Sequence, residues 1–321
     1  MLVRDFIDDS LYNPHYGFYT SNDPIRSSRY SNTELFKPWY ASAIAKYMVS
    51  EYKLKLYPHK DLIIYEIGGR HGRLMTHILD YIERYEPSVY QRTQYRMIEL
   101  SDRQKQHHGI VQVLDQNIFD WNTLVTDQCF FLGVKVINHF AHDVIRYDEN
   151  QVPYQGLVCM DNKHSLTEIF EPAQDATIER YLSLQKKLGS KYNKQNWYSR
   201  WFRQCHSIEF IPTRLLELMD ILNTWFPGHR LILTDYASLS NTIGGMNAPL
   251  VQTDYHGSIL PSNTYLLSPG WYPIFPTNFE QLRDMYLLIC VKSMQYSDFL
   301  ERYGEPENQR LYQPNVKVLL T

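Results

Sequence analysis

Short apolar runs alternate with amphipathic stretches through the middle of the chain. Leu62–Ile67 is a near-continuous apolar run of strand length, and Gly72–Tyr85 sets Leu74, Ile78, Leu79 and Ile82 on one face of a helix. Tyr95–Leu100 predicts a second strand, Arg103–His108 a polar helix, and Ile110–Leu114 and Phe130–Ile137 strands three and four. Leu215–Phe226 follows as a helix stopped by Pro227 and Gly228, and Leu231–Asp235 as a fifth strand. A last helix, Glu280–Val291, and a last strand, Val316–Leu320, close the pattern. Alternation of this kind predicts an α/β fold, a doubly wound, mostly parallel sheet with helices on both faces. Strands buried on both faces read as unbroken apolar runs, as these do.

The flanking stretches read differently. Residues 1–33 are polar and broken by Pro14, Gly17 and Pro24, which predicts loop with short helical turns. From Thr33 to Leu56 the pattern turns helical, with Leu35, Trp39, Ile44, Met48 and Tyr52 on one side, until Pro58 stops it. Tyr154–Pro212 interrupts the alternation and is expected to be an inserted, largely helical region. After Asp235 comes a turn-rich stretch marked by Gly244, Gly245, Pro249, Gly257, Pro261, Pro269 and Gly270. The expected division is therefore an N-terminal loop and helical cap over 1–60 and the first half of an α/β core over 61–150. An inserted helical substrate or partner region over 151–213 and the second half of the core over 214–321 complete it.

Composition narrows the class. The 321 residues are 44% hydrophobic and carry 32 basic against 35 acidic side chains, a net charge of −3. That near-balance argues against a general nucleic-acid binder, and the apolar content argues against disorder. No apolar run approaches the roughly 18 residues of a membrane helix. Cys129, Cys159, Cys205 and Cys290 lie far apart with no C-x-x-C pair, so a zinc ribbon, a thioredoxin motif and a disulfide framework all fail on spacing. Met1–Thr20 carries Asp5, Asp8 and Asp9, a composition of neither a secretory signal nor a transit peptide.

The chemistry concentrates after the first strand, in Glu66-Ile67-Gly68-Gly69-Arg70-His71-Gly72. A glycine turn between a first strand and a first helix is where doubly wound sheets hold nucleotide-like ligands. The dinucleotide fingerprint fails, because Arg70 and Arg73 stand where its second and third glycines belong. A Walker loop fails for want of Gly-Lys-Ser/Thr. The looser acidic-x-Gly-x-Gly-x-Gly pattern of S-adenosylmethionine sites is met by Glu66, Gly68 and Gly72. Glu99, ending the second strand, offers the carboxylate that takes both ribose hydroxyls in related sites. The same residues also suit a plain strand-to-helix turn with a solvated Glu99, and spacing leaves both readings open.

Further blocks resemble a known family. They are Arg4–Tyr12 with Tyr16-Gly-Phe-Tyr19, Glu34–Pro38, the glycine loop, Phe119-Asp120-Trp121, His142–Asp148, Pro212–Leu216, Arg230–Asp235, Asn247-Ala-Pro249 and Ser262–Leu266. In this order they resemble the MidA-like S-adenosylmethionine-dependent methyltransferases, the family of the mitochondrial complex I assembly arginine methyltransferase. The resemblance covers nearly the whole chain. It implies a class I methyltransferase sheet of seven strands with the last reversed, an N-terminal helical segment and an embedded helical substrate region. It implies S-adenosylmethionine as methyl donor, held by Glu66, Gly68, Gly69, Arg70, Gly72, Glu99, Phe119 and Asp120. It also implies mitochondrial residence and methylation of arginine on a protein partner, a complex I subunit. Two departures stand out. Arg70 occupies the central glycine of the family loop E-x-G-x-G-x-G-x-L. The pattern E-V-F-D-N-F-P-H-D after strand four becomes Lys135-Val-Ile-Asn138-His139-Phe-Ala-His142-Asp143, which replaces both of its first two acidic positions.

A guanidinium is a poor nucleophile, since its charge is delocalised and its pKa exceeds ~12. Carboxylates orient it through paired hydrogen bonds that also polarise the attacking nitrogen. Candidates for that acceptor pocket are Asp235, at the end of strand five, with Lys135, Asn138 and Asp143 around it. A lysine there sets repulsion against attraction. Two functions remain open: a working methyltransferase with an altered acceptor pocket, and a methyltransferase-fold protein that serves as a binding or assembly factor. Lys186, Lys187, Lys191, Lys194, Arg200 and Arg203 interleave with Trp197, Tyr198, Trp201 and Phe202. That stretch suits a partner-binding surface, or an amphipathic helix with a solvated basic side. His139 and His142 with Asp143 read as ordinary polar side chains, because a second pair of metal ligands is missing.

Overall fold

A computed structural model describes residues 1–20, 37–69, 72–99, 110–163, 165–192, 208–255, 258–267, 270–286, 292–295, 300, 302–304 and 316–320. In chain order the first elements are α1 (Val3–Tyr12), α2 (Pro38–Lys55), β1 (Leu62–Ile67), α3 (Arg73–Tyr85), α4 (Pro87–Tyr90), β2 (Thr93–Glu99), β3 (Val111–Asp115) and β4 (Cys129–Val134). Then come β5 (Asp143–Tyr147), β6 (Pro153–Met160), β7 (Leu166–Pro172), α5 (Ala176–Tyr192), β8 (Ile208–Ile211), α6 (Thr213–Trp225) and β9 (His229–Tyr236). The last are β10 (Leu250–Tyr255), β11 (Ser258–Ser262), β12 (Tyr272–Ile274), α7 (Phe279–Met285), β13 (Lys292–Gln295) and β14 (Val316–Leu320). They sort into two compact units, each built from three separate stretches, so neither follows sequential boundaries at 60, 150 and 213.

One unit comprises Pro24–Ile137, Asp220–Ala237 and Tyr286–Thr321. Its sheet has seven strands in the order β13-β14-β9-β4-β1-β2-β3. Strands β3, β2, β1, β4 and β9 run parallel, whereas β14 pairs antiparallel with both β9 and β13. The last strand in sequence is therefore the reversed one, as expected. All six residues of β1 and all six of β4 are buried, as central parallel strands must be. Helix α2 starts on Pro38 at its first turn, where the missing N–H costs nothing, and carries Lys53 and Lys55 in its last turn. Its buried face is Tyr40, Ile44, Met48 and Tyr52, one position away from the Trp39 of the sequence pattern, which is only partly buried. Helix α3 buries Leu74, Met75, Ile78, Leu79 and Ile82 on the same core. Each such side chain contributes roughly 1.5–3 kcal/mol by leaving water.

The order reverses direction at β1, which has β2 on one side and β4 on the other. In open parallel sheets ligands bind outside the carboxyl ends of the strands at this switch point. Here those ends carry Gly68 and Gly69 after β1 and Lys135 and Val136 after β4.

The other unit comprises Met1–Asp23, Asn138–Met219 and Ser238–Met285. It holds a four-stranded antiparallel sheet, β7-β6-β5-β8, and a three-stranded one, β11-β10-β12. Three expectations change here. The N-terminal loop contains the ten-residue helix α1, whose Val3, Ile7 and Leu11 are buried at a spacing of four. The sequence hides this face because the same helix buries Arg4. Arg4 forms a two-pronged ion pair with Asp175 at 2.7 and 2.8 Å and a third contact with Asp143 at 2.7 Å. Arg214 reaches back to the same helix, donating to Asp5 at 3.2 Å and Asp8 at 2.7 Å. Second, the described part of 151–213 is not largely helical. It contributes β6, β7 and β8 beside α5. Strand β7 turns Leu166 and Phe170 inward together with Glu168, which meets the Tyr265 hydroxyl, and leaves Ile169 outward, so its apolar alternation is broken at Glu168 and Ile169. Third, the turn-rich stretch after Asp235 folds into β10, β11 and β12, with Pro261 and Pro273 on the two outer strands, where proline is tolerated.

Candidate active site

Strand β1 delivers buried Glu66 and then the glycine turn. Gly68 adopts φ +71°, and a Cβ there would lie 2.6 Å from Val136 Cγ2, so backbone and space both require glycine. A Cβ on Gly69 would lie 2.8 Å from Met97 Cε and 2.9 Å from the Glu66 carboxyl carbon. Gly72 is left-handed at φ +59° and caps α3, donating its N–H to the Gly69 carbonyl at 2.6 Å and accepting from Thr76 N at 2.8 Å. Beneath the turn, Glu66 accepts from the Tyr95 hydroxyl at 2.7 Å, with both side chains buried. Burial, and then the Glu66 charge, raise the Tyr95 phenol well above its ordinary pKa. The phenol therefore stays a donor and Glu66 has a fixed partner. Arg70, the departure at the loop centre, lies outside the described residues, as does His71.

Strand β2 pairs with β1 from Leu62↔Thr93 to Ile67↔Ile98, so the Glu99 backbone is the next step along, level with Gly68. Phe119 and Asp120 sit after β3 in a short 3-10 turn, Ile118–Asp120, capped by the Asn117 side chain accepting from Phe119 N at 3.1 Å. Ile118 anchors the turn by burial and leaves Asp120 exposed. Glu66 and Glu99 thus stand within the carboxyl ends of β1 and β2, and Gly68, Gly69, Gly72, Phe119 and Asp120 follow β1 and β3.

The predicted acceptor residues divide between the units. In the seven-stranded one, Lys135 follows β4 at φ +54°, and its N–H continues the ladder to the Thr234 carbonyl at 2.8 Å. Its Nζ lies 5.2 Å from the centre of the Tyr236 ring. Asp235, fully buried at the end of β9, accepts from Tyr236 N at 2.9 Å. Burial pulls the Lys135 ammonium down to about 8, against the attraction of Asp235. The neighbouring Thr234 hydroxyl accepts from Tyr40 at 2.8 Å.

Asn138 and Asp143 belong to the other unit. The Asn138 carbonyl accepts from Phe275 N at 2.8 Å. Asp143 is buried and held by Arg4 N at 3.3 Å, Arg4 Nη1 at 2.7 Å and Thr213 Oγ1 at 2.7 Å. Burial raises its pKa while Arg4 opposes the rise. Those contacts make Asp143 a structural anchor for α1. His142 stacks on Phe275 at 3.8 Å and 3°, and burial lowers its pKa to about 3, so the ring is neutral. His139 shares a hydrogen bond with the Tyr19 hydroxyl at 2.8 Å. Among the described residues no three His, Cys, Asp or Glu side chains group as a metal site, and no helix is long and apolar enough to cross a membrane. Of the basic and aromatic stretch, Lys186 and Lys187 lie on α5, whereas Lys194, Trp197, Tyr198, Arg200, Trp201, Phe202 and Arg203 lie outside the described residues.

Sequence reasoning missed Tyr95 and Tyr236. Tyr95 stands two residues before Met97, the register partner of Glu66, so the period-2 rule puts it on Glu66's face. Tyr236 follows Asp235 directly and was hidden among 26 tyrosines.

Comparison with known proteins gives the same reading of the fold. A protein from Burkholderia thailandensis bound to S-adenosyl-homocysteine superposes with a TM-score of 0.68 at 11% identity, over 100% of this chain and 87% of that one. A second crystal structure from the same organism gives 0.64 at 12% identity, over 100% and 86%. In sequence, the "Protein arginine methyltransferase NDUFAF7 homolog, mitochondrial" of Schizosaccharomyces pombe is 23% identical over 98% of this chain and 83% of its own length. Its namesake in Saccharomyces cerevisiae is 23% identical over 91% and 79%. The profile of a family described as "Putative S-adenosyl-L-methionine-dependent methyltransferase" matches residues 43–296, well over half of the chain. With the reversed last strand, the glycine turn at the switch point and this match together, the chain belongs to the MidA-like family of S-adenosylmethionine-dependent methyltransferases.

Proposed function

We propose that this methyltransferase modifies an arginine nitrogen of a protein substrate inside mitochondria, and that the substrate is a complex I subunit. The observation that carries the catalytic part is the glycine turn Gly68–Gly72, set over buried Glu66 at the switch point of the sheet. The residues present fit the methyl donor: side chains are excluded at Gly68 and Gly69, and Gly72 opens a thirteen-residue helix whose first N–H groups favour a carboxylate. When bound, S-adenosylmethionine supplies an already activated methyl group. Glu66, Gly68, Gly69 and Gly72, with Phe119 and Asp120, would then line its site, and the family pattern adds Arg70 and Glu99 to the set. Asp235 is the carboxylate that orients the guanidinium and takes up its charge. The names of the two yeast relatives support arginine as acceptor and mitochondria as the compartment.

Methyl transfer from labelled S-adenosylmethionine to a mitochondrial extract, read by hydrolysis to methylarginines, tests the proposal. Glu99→Ala is expected to abolish the label by weakening cofactor binding. Asp235→Asn is expected to abolish it while S-adenosyl-homocysteine binding, measured by calorimetry, persists. Label on another amino acid overturns the arginine assignment. Absence of heat with sub-millimolar S-adenosylmethionine overturns the enzyme and leaves a binding or assembly role.

A further inference from the structure

The acceptor end of the crevice already contains a cation. Lys135 is the first residue after β4, and Asp235 and Tyr236 end β9, the parallel neighbour of β4. The Lys135 Nζ lies over the Tyr236 ring at 5.2 Å, and Asp235 is the charge that holds it protonated against burial. A carboxylate beside an aromatic face is the pair of partners a guanidinium seeks: charge-assisted hydrogen bonds from one, a cation–π contact from the other. Asp235 has no exposed surface while Lys135 is only partly buried, the order expected if the lysine lies between carboxylate and solvent. Lys135 holds this place from a left-handed backbone, φ +54°, a conformation that strains a non-glycine residue and persists only where its surroundings over-determine it.

We propose that Lys135, set over the Tyr236 ring and within the electrostatic reach of Asp235, is an internal substitute for the substrate guanidinium, which an incoming arginine must displace before it can be methylated. The inference rests on the reading of arginine as acceptor and adds to it a specificity-determining residue. A weakly bound or isolated guanidinium fails to displace the tethered ammonium. A substrate that also binds elsewhere on the protein succeeds, because its other contacts supply the difference. The enzyme thereby favours whole protein substrates over free arginine or short peptides.

Calorimetry with the blocked tripeptide acetyl-Gly-Arg-Gly-amide, in saturating S-adenosyl-homocysteine, tests this without turnover. Wild type, Lys135→Met and Lys135→Arg are compared, the last retaining charge and serving as the folding control. Removing one charge within about 5 Å at an effective dielectric near 20 predicts at least tenfold tighter binding to Lys135→Met. Lys135→Arg is expected to stay within about threefold of wild type. Equal affinity of all three proteins, or equal tightening in both variants, overturns the inference and leaves the arginine assignment standing. Binding by none of the three defeats the arginine assignment, and the inference with it.

Discussion

Replacing Gly68 by alanine probes the glycine turn most directly. The added methyl would stand 2.6 Å from Val136 Cγ2 and 3.0 Å from Val136 Cβ, where carbon atoms prefer ~3.5–4.0 Å. Val136 is β-branched and stiff at χ1, so the turn must yield by about 1 Å. Overpacking of this kind costs ~1–3 kcal/mol. The left-handed φ of +71° adds ~1–2 kcal/mol for a residue with a Cβ. The expected loss is therefore ~2–5 kcal/mol, concentrated in the seven-stranded unit. Hydrogen exchange of peptides covering β1 and β4 reads it locally, which avoids assuming that a two-unit chain unfolds in one step. The double variant with Val136→Ala separates the two causes: it removes the clash and leaves the φ penalty, so a favourable coupling of ~1–2 kcal/mol is expected. Calorimetry with S-adenosyl-homocysteine should show weaker binding to Gly68→Ala in parallel. Protection within about 0.5 kcal/mol of wild type in the single variant would refute the account of why glycine stands here.

Other substitutions test the remaining supports. Arg4→Met strands buried Asp143 and should destabilise the unit containing α1 by ~3–5 kcal/mol, with partial recovery in Arg4→Met/Asp143→Leu; no recovery in a denaturation series would deny the ion pair its anchoring role. Tyr95→Phe removes a donor from the Glu66 carboxylate and is expected to cost ~1.5–3 kcal/mol by urea titration. His142 is held neutral by burial, its pKa lowered to about 3 from an unfolded value of 6.5. Below pH 6.5 the unfolded chain therefore takes up a proton that the folded chain refuses, so stability falls with pH, by ~2 kcal/mol at pH 5. In His142→Phe the difference in stability between pH 7 and pH 5 should shrink by that amount; an unchanged difference contradicts the neutral, stacked ring.

The central elements were legible because burial on both faces leaves no polar position inside a parallel strand. Leu62–Ile67 and Val316–Leu320 stand at their predicted bounds. Helix α3 buries the predicted Leu74, Ile78, Leu79 and Ile82, for its stripe repeats with the turn of the helix. The glycine turn was legible for a similar reason: left-handed φ values and close approaches admit few residues, so the glycines announce themselves.

Tertiary structure alone decided the rest. Helix α1 reads as polar because its inward Arg4 meets Asp143 and Asp175, which are 139 and 171 residues away. Strand β7 was hidden in a stretch expected to be helical, because its inward Glu168, satisfied by Tyr265, breaks the apolar alternation. Candidate acceptor residues near in sequence have different partners: Lys135 lies over Tyr236 and feels the charge of Asp235 on the neighbouring strand, while Asp143 goes to Arg4 and Thr213. Local pattern reports which side of an element avoids water. A charged or hydroxylated side chain can face inward only if a partner meets it, and that partner comes from a distant part of the chain.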